Sequence, residues 1–301
     1  MFNKELRERF FVSFLLSPII LIVALPNWNV NVYSVFLYLF FISLGLICLF
    51  EVIRMFESKY FYVPKIKKSL FVVFLLLFIL VFSSVSVIGK GASAPLHDFS
   101  SIVVLLFSSF VLLVLINLFI SSINISKNNY IFVDSVFSIL SLYLGLGIGS
   151  MLALKLFDVE NNTFFLSFVL GVSWFSELGG LLFGKLLGRF KLSFLSSPNK
   201  TLEGTLGMFV FALTGGVIFK LILSLLNYSN YLFIPTYQSA IVLATVVFAF
   251  DFIGDIIESL FKRFFDAKDS SNILLSLGGF FDVFDGAIMA SFAVLIYIFL
   301  V

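Results

Sequence analysis

Between Gly254 and Asp285 the chain reads GDIIESLFKRFFDAKDSSNILLSLGGFFDVFD, and this stretch holds the residues best suited to chemistry. Asp255 and Glu258 close one apolar segment, while Asp282 and Asp285 open the next; Lys262, Arg263, Lys268 and Asp269 lie between them. A charged side chain at the centre of a membrane helix costs about 2.5–3.5 kcal/mol on the insertion scale, so such residues mark function by default. Asp251, Asp255 and Glu258 are spaced i, i+4, i+7 and share one helix face, and Asp282 and Asp285 are one turn apart. Carboxylates gathered this closely repel one another unless a cation intervenes. Magnesium takes oxygen ligands, commonly one or two carboxylates with water and substrate phosphate oxygens, so metal-assisted phosphate chemistry is one reading. Two others stay open from the residues alone: a proton or ion relay, and structural salt bridges with Lys262, Arg263 and Lys268. The Gly278-Gly279 pair gives the chain freedom to turn sharply into the cluster.

A second segment, FKLSFLSSPNKTLEG, ends at Gly204. Pro198 stops a continuing helix, and Thr201 is a suitable N-cap for the next one. Lys200 stands directly before that helix start, where free backbone N–H groups and the positive dipole end make a natural phosphate seat. The plainer alternative is an ordinary capped helix with a lysine at the membrane surface. The segment Gly179–Leu186, GGLLFGKL, falls one residue short of a phosphate loop. It lies inside an apolar helix with Leu186 at the hydroxyl position, which excludes that reading.

The elements that must position these groups are membrane helices. Of the 301 residues, 61% are hydrophobic and 12% charged, against roughly 25% charged in ordinary soluble domains. Apolar runs of bilayer length recur, and the short alternating segments of a transmembrane barrel do not. The expected fold is an all-α integral membrane protein with about nine transmembrane helices, at 10–26, 32–53, 69–88, 101–121, 134–155, 163–187, 203–225, 236–259 and 279–300. With the N-terminus cytoplasmic, sixteen Lys and Arg fall on the cytoplasmic side and three (Lys90, Lys155, Lys220) on the other. That bias satisfies the positive-inside rule and puts the C-terminus outside. LPNWNVNVYS after the first span offers no small-residue cleavage site, so the span is kept as a helix. Cys48 is the only cysteine, which excludes an internal disulfide framework and a cysteine-based metal site.

Residues 1–301 read as a single polytopic domain, with 1–130 mainly scaffold spans and 131–301 the catalytic spans and cytoplasmic loops. Glu51 is the one acid within a span of the first half. No internal repeat supports an inverted-repeat transporter. Gly180, Gly184 and Gly188, like Gly145 and Gly149, recur at spacing four, which lets helix backbones approach closely in lipid. His97, the only histidine, falls in a loop on the predicted outer side, away from every motif.

Ser259–Asp285 resembles the signature of the phosphatidate cytidylyltransferases, or CDP-diacylglycerol synthases: S-x-x-K-R, four residues, K-D, then P-G-H-G-G leading to D-R-x-D. Ser259, Lys262, Arg263, Lys268, Asp269, Gly278, Gly279, Asp282 and Asp285 fall in register. Gly254, Asp255, Glu258 and Ser259 resemble the upstream G-D-x-x-E-S, and SPNKTLEG at 197–204 resembles S-P-K-K-T-W-E-G. Trp174–Gly188 matches the spacing of the W-x-S-D-T-G-A-Y…G-R-x-x-G helix, with Glu177 at the aspartate position. Leu275, Leu277 and Val283 replace the family's Pro, His and Arg, which removes two phosphate or base contacts.

The resemblance implies cytidylyl transfer from CTP to phosphatidate in the inner membrane, with the active site facing the cytoplasm. It implies magnesium on Asp255, Asp282, Asp285 and Glu177, with a second cation as a further candidate. Lys200, Lys262, Arg263 and Lys268 are then the catalytic cations, and Ser197, Thr201, Glu203, Ser259, Asp269, Gly278 and Gly279 join them in binding substrate. The expected partners are CTP, phosphatidate and membrane lipid, with no nucleic acid; a homodimer is one candidate assembly. The alternatives are a CTP-dependent polyisoprenol- or phytol-type lipid kinase and a cation-coupled membrane transporter.

Overall fold

The described helices follow from apolar runs of the sequence, and capping residues mark the starts of some of them. The structure, a computed structural model, describes residues 30–59, 72, 75, 76, 79, 130–161, 164–192, 200–226, 236–274 and 278–300. They form α1 (Val30–Lys59), α2 (Tyr130–Asn161), α3 (Phe165–Leu187), α4 (Leu202–Leu225), α5 (Tyr237–Phe264) and α6 (Phe280–Leu300). All six are long and apolar enough to cross a membrane, and there is no strand among the described residues. The protein is an all-α, multi-pass membrane protein. The helices overlap the expected spans from 32, 134, 163, 203, 236 and 279 onward. The expected spans at 10–26 and 101–121 lie outside the described residues, as does His97. Of 69–88, positions 72, 75, 76 and 79 are included and helical.

Local signals set the helix starts. Thr201 caps α4, its hydroxyl accepting from Gly204 N at 3.1 Å. At α5, Thr236 and Ser239 exchange side chain-to-backbone hydrogen bonds in a capping box. α3 begins differently: Asp158, at the end of α2, accepts from Phe165 N at 2.8 Å and Leu166 N at 2.9 Å. Asp158 and its neighbour Lys155 are fully buried.

Packing then brings the site ends together. α3 packs most extensively against α4, and the glycines explain how. A Cβ on Gly207 would meet Phe183 Cβ at 2.5 Å and the Gly179 carbonyl at 2.6 Å, and one on Gly180 would meet Met208 Cγ at 2.6 Å. Gly184 and Gly188 both lie against Thr201, so the spacing-four stripe seats the last turns of α3 on the start of α4. Between Gly145 and Gly149, Gly147 is the one that abuts α6, through Ile288. α5 and α6 approach closely where Gly254 faces Asp285 and Gly286, with a Cβ-to-Gly286 Cα distance of 2.9 Å.

Gly207→Val should force α3 from α4 and destabilise the protein by about 1–3 kcal/mol, the usual cost of overpacking. Gly171→Ala, whose Cβ meets only Phe219 at 3.9 Å, should be near neutral. Thermal unfolding of detergent-purified protein compares the two.

Candidate active site

The carboxylates of α5 and α6 converge because glycine lets the two helices touch. Asp255, Glu258 and Asp285 each present an oxygen within 4.8 Å of the others, the group able to hold a metal ion among the described residues. Glu258 and Asp285 are buried, at 1% and 7% exposure, and Asp255 is half-buried. Asp251, one turn before Asp255, is buried too, its carboxylate against Gly286. Such a set, left to itself, is strongly self-repelling in a low dielectric.

Two lysines offset that repulsion. Lys200 Nζ pairs with Asp255 Oδ2 at 2.5 Å and stands 4.8 Å over the ring of Phe252. Lys262 Nζ lies 2.7 Å from Glu258 Oε1 and 2.9 Å from Asp282 Oδ1, joining α5 to α6. The Ser259 hydroxyl donates to Asp255 Oδ1 at 3.4 Å. On α6, Asp285 Oδ1 accepts from Gly286 N at 2.6 Å. The Tyr143 hydroxyl of α2 donates to the Asp285 carbonyl at 3.1 Å, with its ring edge-on to Phe281.

Asp282 is occupied differently from its expected metal role. Its Oδ2 accepts from Gly279 N at 2.6 Å, Ser270 Oγ at 2.7 Å and Ser270 N at 2.8 Å, while Oδ1 faces Lys262. It therefore fastens the 266–279 connection to the start of α6. The glycine pair is required here. Gly278 has φ +87°, the left-handed region, and a Cβ would run into Asp282; a Cβ on Gly279 would meet both Glu51 carboxylate oxygens at 2.5 Å.

The remaining expected residues scatter around this centre. Lys200 and Thr201 are carried by a short pinch of the chain: Leu192 N donates to the Lys200 carbonyl at 2.9 Å and Leu202 N to the Phe190 carbonyl at 2.8 Å. Both Glu203 carboxylate oxygens accept from Phe190 N at 3.2 Å. Arg263, Lys268 and Asp269 are exposed, and Arg263 Nη1 donates to the Ala267 carbonyl at 3.3 Å. Glu177 is exposed on α3 and lies outside the three-carboxylate group. Ser197, Leu275 and Leu277 fall outside the described residues.

Three residues of this arrangement lie outside the expected set. Glu258 shares a helix face with Asp251 and Asp255 and joins the three-carboxylate group, whereas the expected metal set does not include it. Tyr143 carried no sequence signal beyond a hydroxyl in an apolar run. Glu51, alone as an acid in its span, carried a signal that helix context did not translate into a partner. It is 2% exposed and accepts hydrogen bonds from the connection and the first turn of α6, as described below.

Three converging hard oxygen donors flanked by two ammonium groups can hold a divalent cation and the phosphates that accompany it. A family model described as the cytidylyltransferase family matches residues 7–301. The phosphatidate cytidylyltransferase of Staphylococcus saprophyticus is 30% identical over 276 residues, covering 91% of this chain and 93% of that protein. The phosphatidate cytidylyltransferase of Staphylococcus haemolyticus is 34% identical over 166 residues, 54% of this chain and 58% of that protein. The one of Staphylococcus epidermidis strain RP62A is 31% identical over 166 residues, with the same coverage. With a match along nearly its whole length, this chain belongs to the cytidylyltransferase family.

Proposed function

We propose that this chain transfers the cytidylyl group of CTP to phosphatidate, forming CDP-diacylglycerol and releasing pyrophosphate. The observation that carries the reading is the convergence of Asp255, Glu258 and Asp285 beside Lys200 and Lys262, in a chain of this family. A phosphate oxygen of the lipid forms a bond to the α-phosphorus of CTP as the bond to the departing pyrophosphate breaks. Phosphate monoesters carry about −1.5 to −2 charge near pH 7, so no general base is needed. The difficulty is bringing two polyanions together.

The chain's residues meet that difficulty with charge placed in advance. Lys200, directly before the start of α4, and Lys262, at the α5–α6 junction, hold phosphate oxygens. Arg263 and Lys268, exposed at the same end, extend this positive rim. Ser259 steadies Asp255, and Asp282 holds Lys262 and the connection in place. The all-oxygen donor set fits magnesium, which Asp255, Glu258 and Asp285 would hold. When bound, the ion supplies Lewis-acid polarisation of phosphoryl oxygens. The sixteen-to-three charge bias supports a nine-span arrangement in the inner membrane, with this end facing the cytoplasm, where CTP is made available.

CTP labelled at the α-phosphorus, given to purified protein with phosphatidate and magnesium, should yield labelled CDP-diacylglycerol together with pyrophosphate. Release of labelled CDP with a newly phosphorylated lipid would replace this reading with a lipid kinase, and no turnover would reject both. EDTA should abolish product formation and added magnesium restore it. Asp285→Asn should lower kcat by roughly 10²–10³, the scale of losing a preorganised electrostatic group. Its circular dichroism should stay that of the parent protein.

A further inference from the structure

Glu51 lies on α1, more than two hundred residues from the Gly254–Asp285 stretch, yet it touches four groups at the site. Its Oε1 accepts from Ser271 Oγ at 2.7 Å and Phe280 N at 3.1 Å. Its Oε2 accepts from Phe281 N at 2.9 Å and lies 3.2 Å from Ser270 Oγ. Ser270 Oγ is also the group that meets Asp282 Oδ2 at 2.7 Å. Glu51 and Asp282 are thus two carboxylates joined through one hydroxyl, with Gly279 wedged between them.

Two physical consequences follow. First, an anion at a helix N-terminus satisfies orphan N–H groups and meets the positive dipole end. Glu51 does this for α6 from another helix, which fixes the axial position of α6 relative to α1. Second, Asp285 lies on the second turn of α6, so its carboxylate moves with that first turn. A shift of about 1 Å in a supporting group can cost 10²-fold in rate.

We infer that Glu51 is a positioning residue for the α6 carboxylates: it holds the first turn of α6 and the Ser270-Ser271 connection so that Asp285 meets Asp255 and Glu258. The inference rests on the metal-assisted reading of that site and adds to it a contribution from the first half of the chain. Glu51→Gln is the informative change. Whichever carboxylate oxygen becomes an amide nitrogen then faces a backbone N–H, of Phe280 or Phe281, that cannot reverse its polarity.

The test uses the full chain in detergent micelles and two readouts. Manganese, as a paramagnetic probe of the divalent site, is titrated by electron paramagnetic resonance; cytidylyl transfer is followed separately. For Glu51→Gln the manganese Kd should rise at least tenfold, and kcat should fall at least tenfold at saturating CTP. Ser271→Ala, which removes one donor to Oε1, should raise the manganese Kd by a smaller factor, about threefold, and so serves if Glu51→Gln does not accumulate. Manganese affinity within twofold of the parent in either variant, whatever the unfolding temperature does, would overturn the inference. Parent protein that binds manganese but transfers no cytidylyl group would defeat the proposed reaction alone, since the effect of Glu51 on manganese would still be read.

Discussion

Acid groups packed between apolar helices need donors and cations beside them, because an unpaired buried charge is among the costliest features a fold can carry. Lys262 is where this requirement is concentrated. One ammonium group serves Glu258 on its own helix and Asp282 on the next, so the two helices are joined by a charge that also offsets part of theirs. Lys200 does the same for Asp255 from a third helix start. This end of the bundle is therefore assembled by the charged groups gathered in it, and its geometry and its electrostatics are one problem.

Glycine makes that assembly possible at short range. Where Gly254 passes Asp285 and Gly286, no side chain intervenes, and carboxylates from two helices can share a volume a few ångströms wide. Along α3 and α4 the same device works for a different purpose: it sets the start of α4, and hence Lys200, at a fixed height beside α5. Close backbone approach in lipid is usually discussed as a source of stability. Here it is the means by which side chains of ordinary length reach each other.

Much of this was legible in the residues. Run length located the six described helices, with ends displaced by up to six positions, because the bilayer imposes a length on every span. Thr201 was legible as a cap, since an N-cap is a local interaction between neighbours in sequence. The acids at 255, 258, 282 and 285 were legible as a cluster because two short helical repeats, one on either side of a turn, bring them to the same end. What escaped was the hydrogen bonding of Glu51 and the partners of Asp282. Ser270 and Gly279 occupy an oxygen of Asp282, and that depends on where Ser270 comes to lie after α5, which no periodicity encodes. Glu51 meets Phe281 across 230 positions; nothing in the spacing of either segment announces the other.

The far end of the bundle bears on all this. Asp158 closes the first turn of α3, and α3 runs for 23 residues, about 35 Å at 1.5 Å per residue, before it reaches Gly188 and Thr201. A helix pinned at one end transmits displacement along its axis to the other as a stiff rod does. The Asp158 contact at one end of α3 and the Thr201 contact at the other are therefore held at a separation that the helix alone sets.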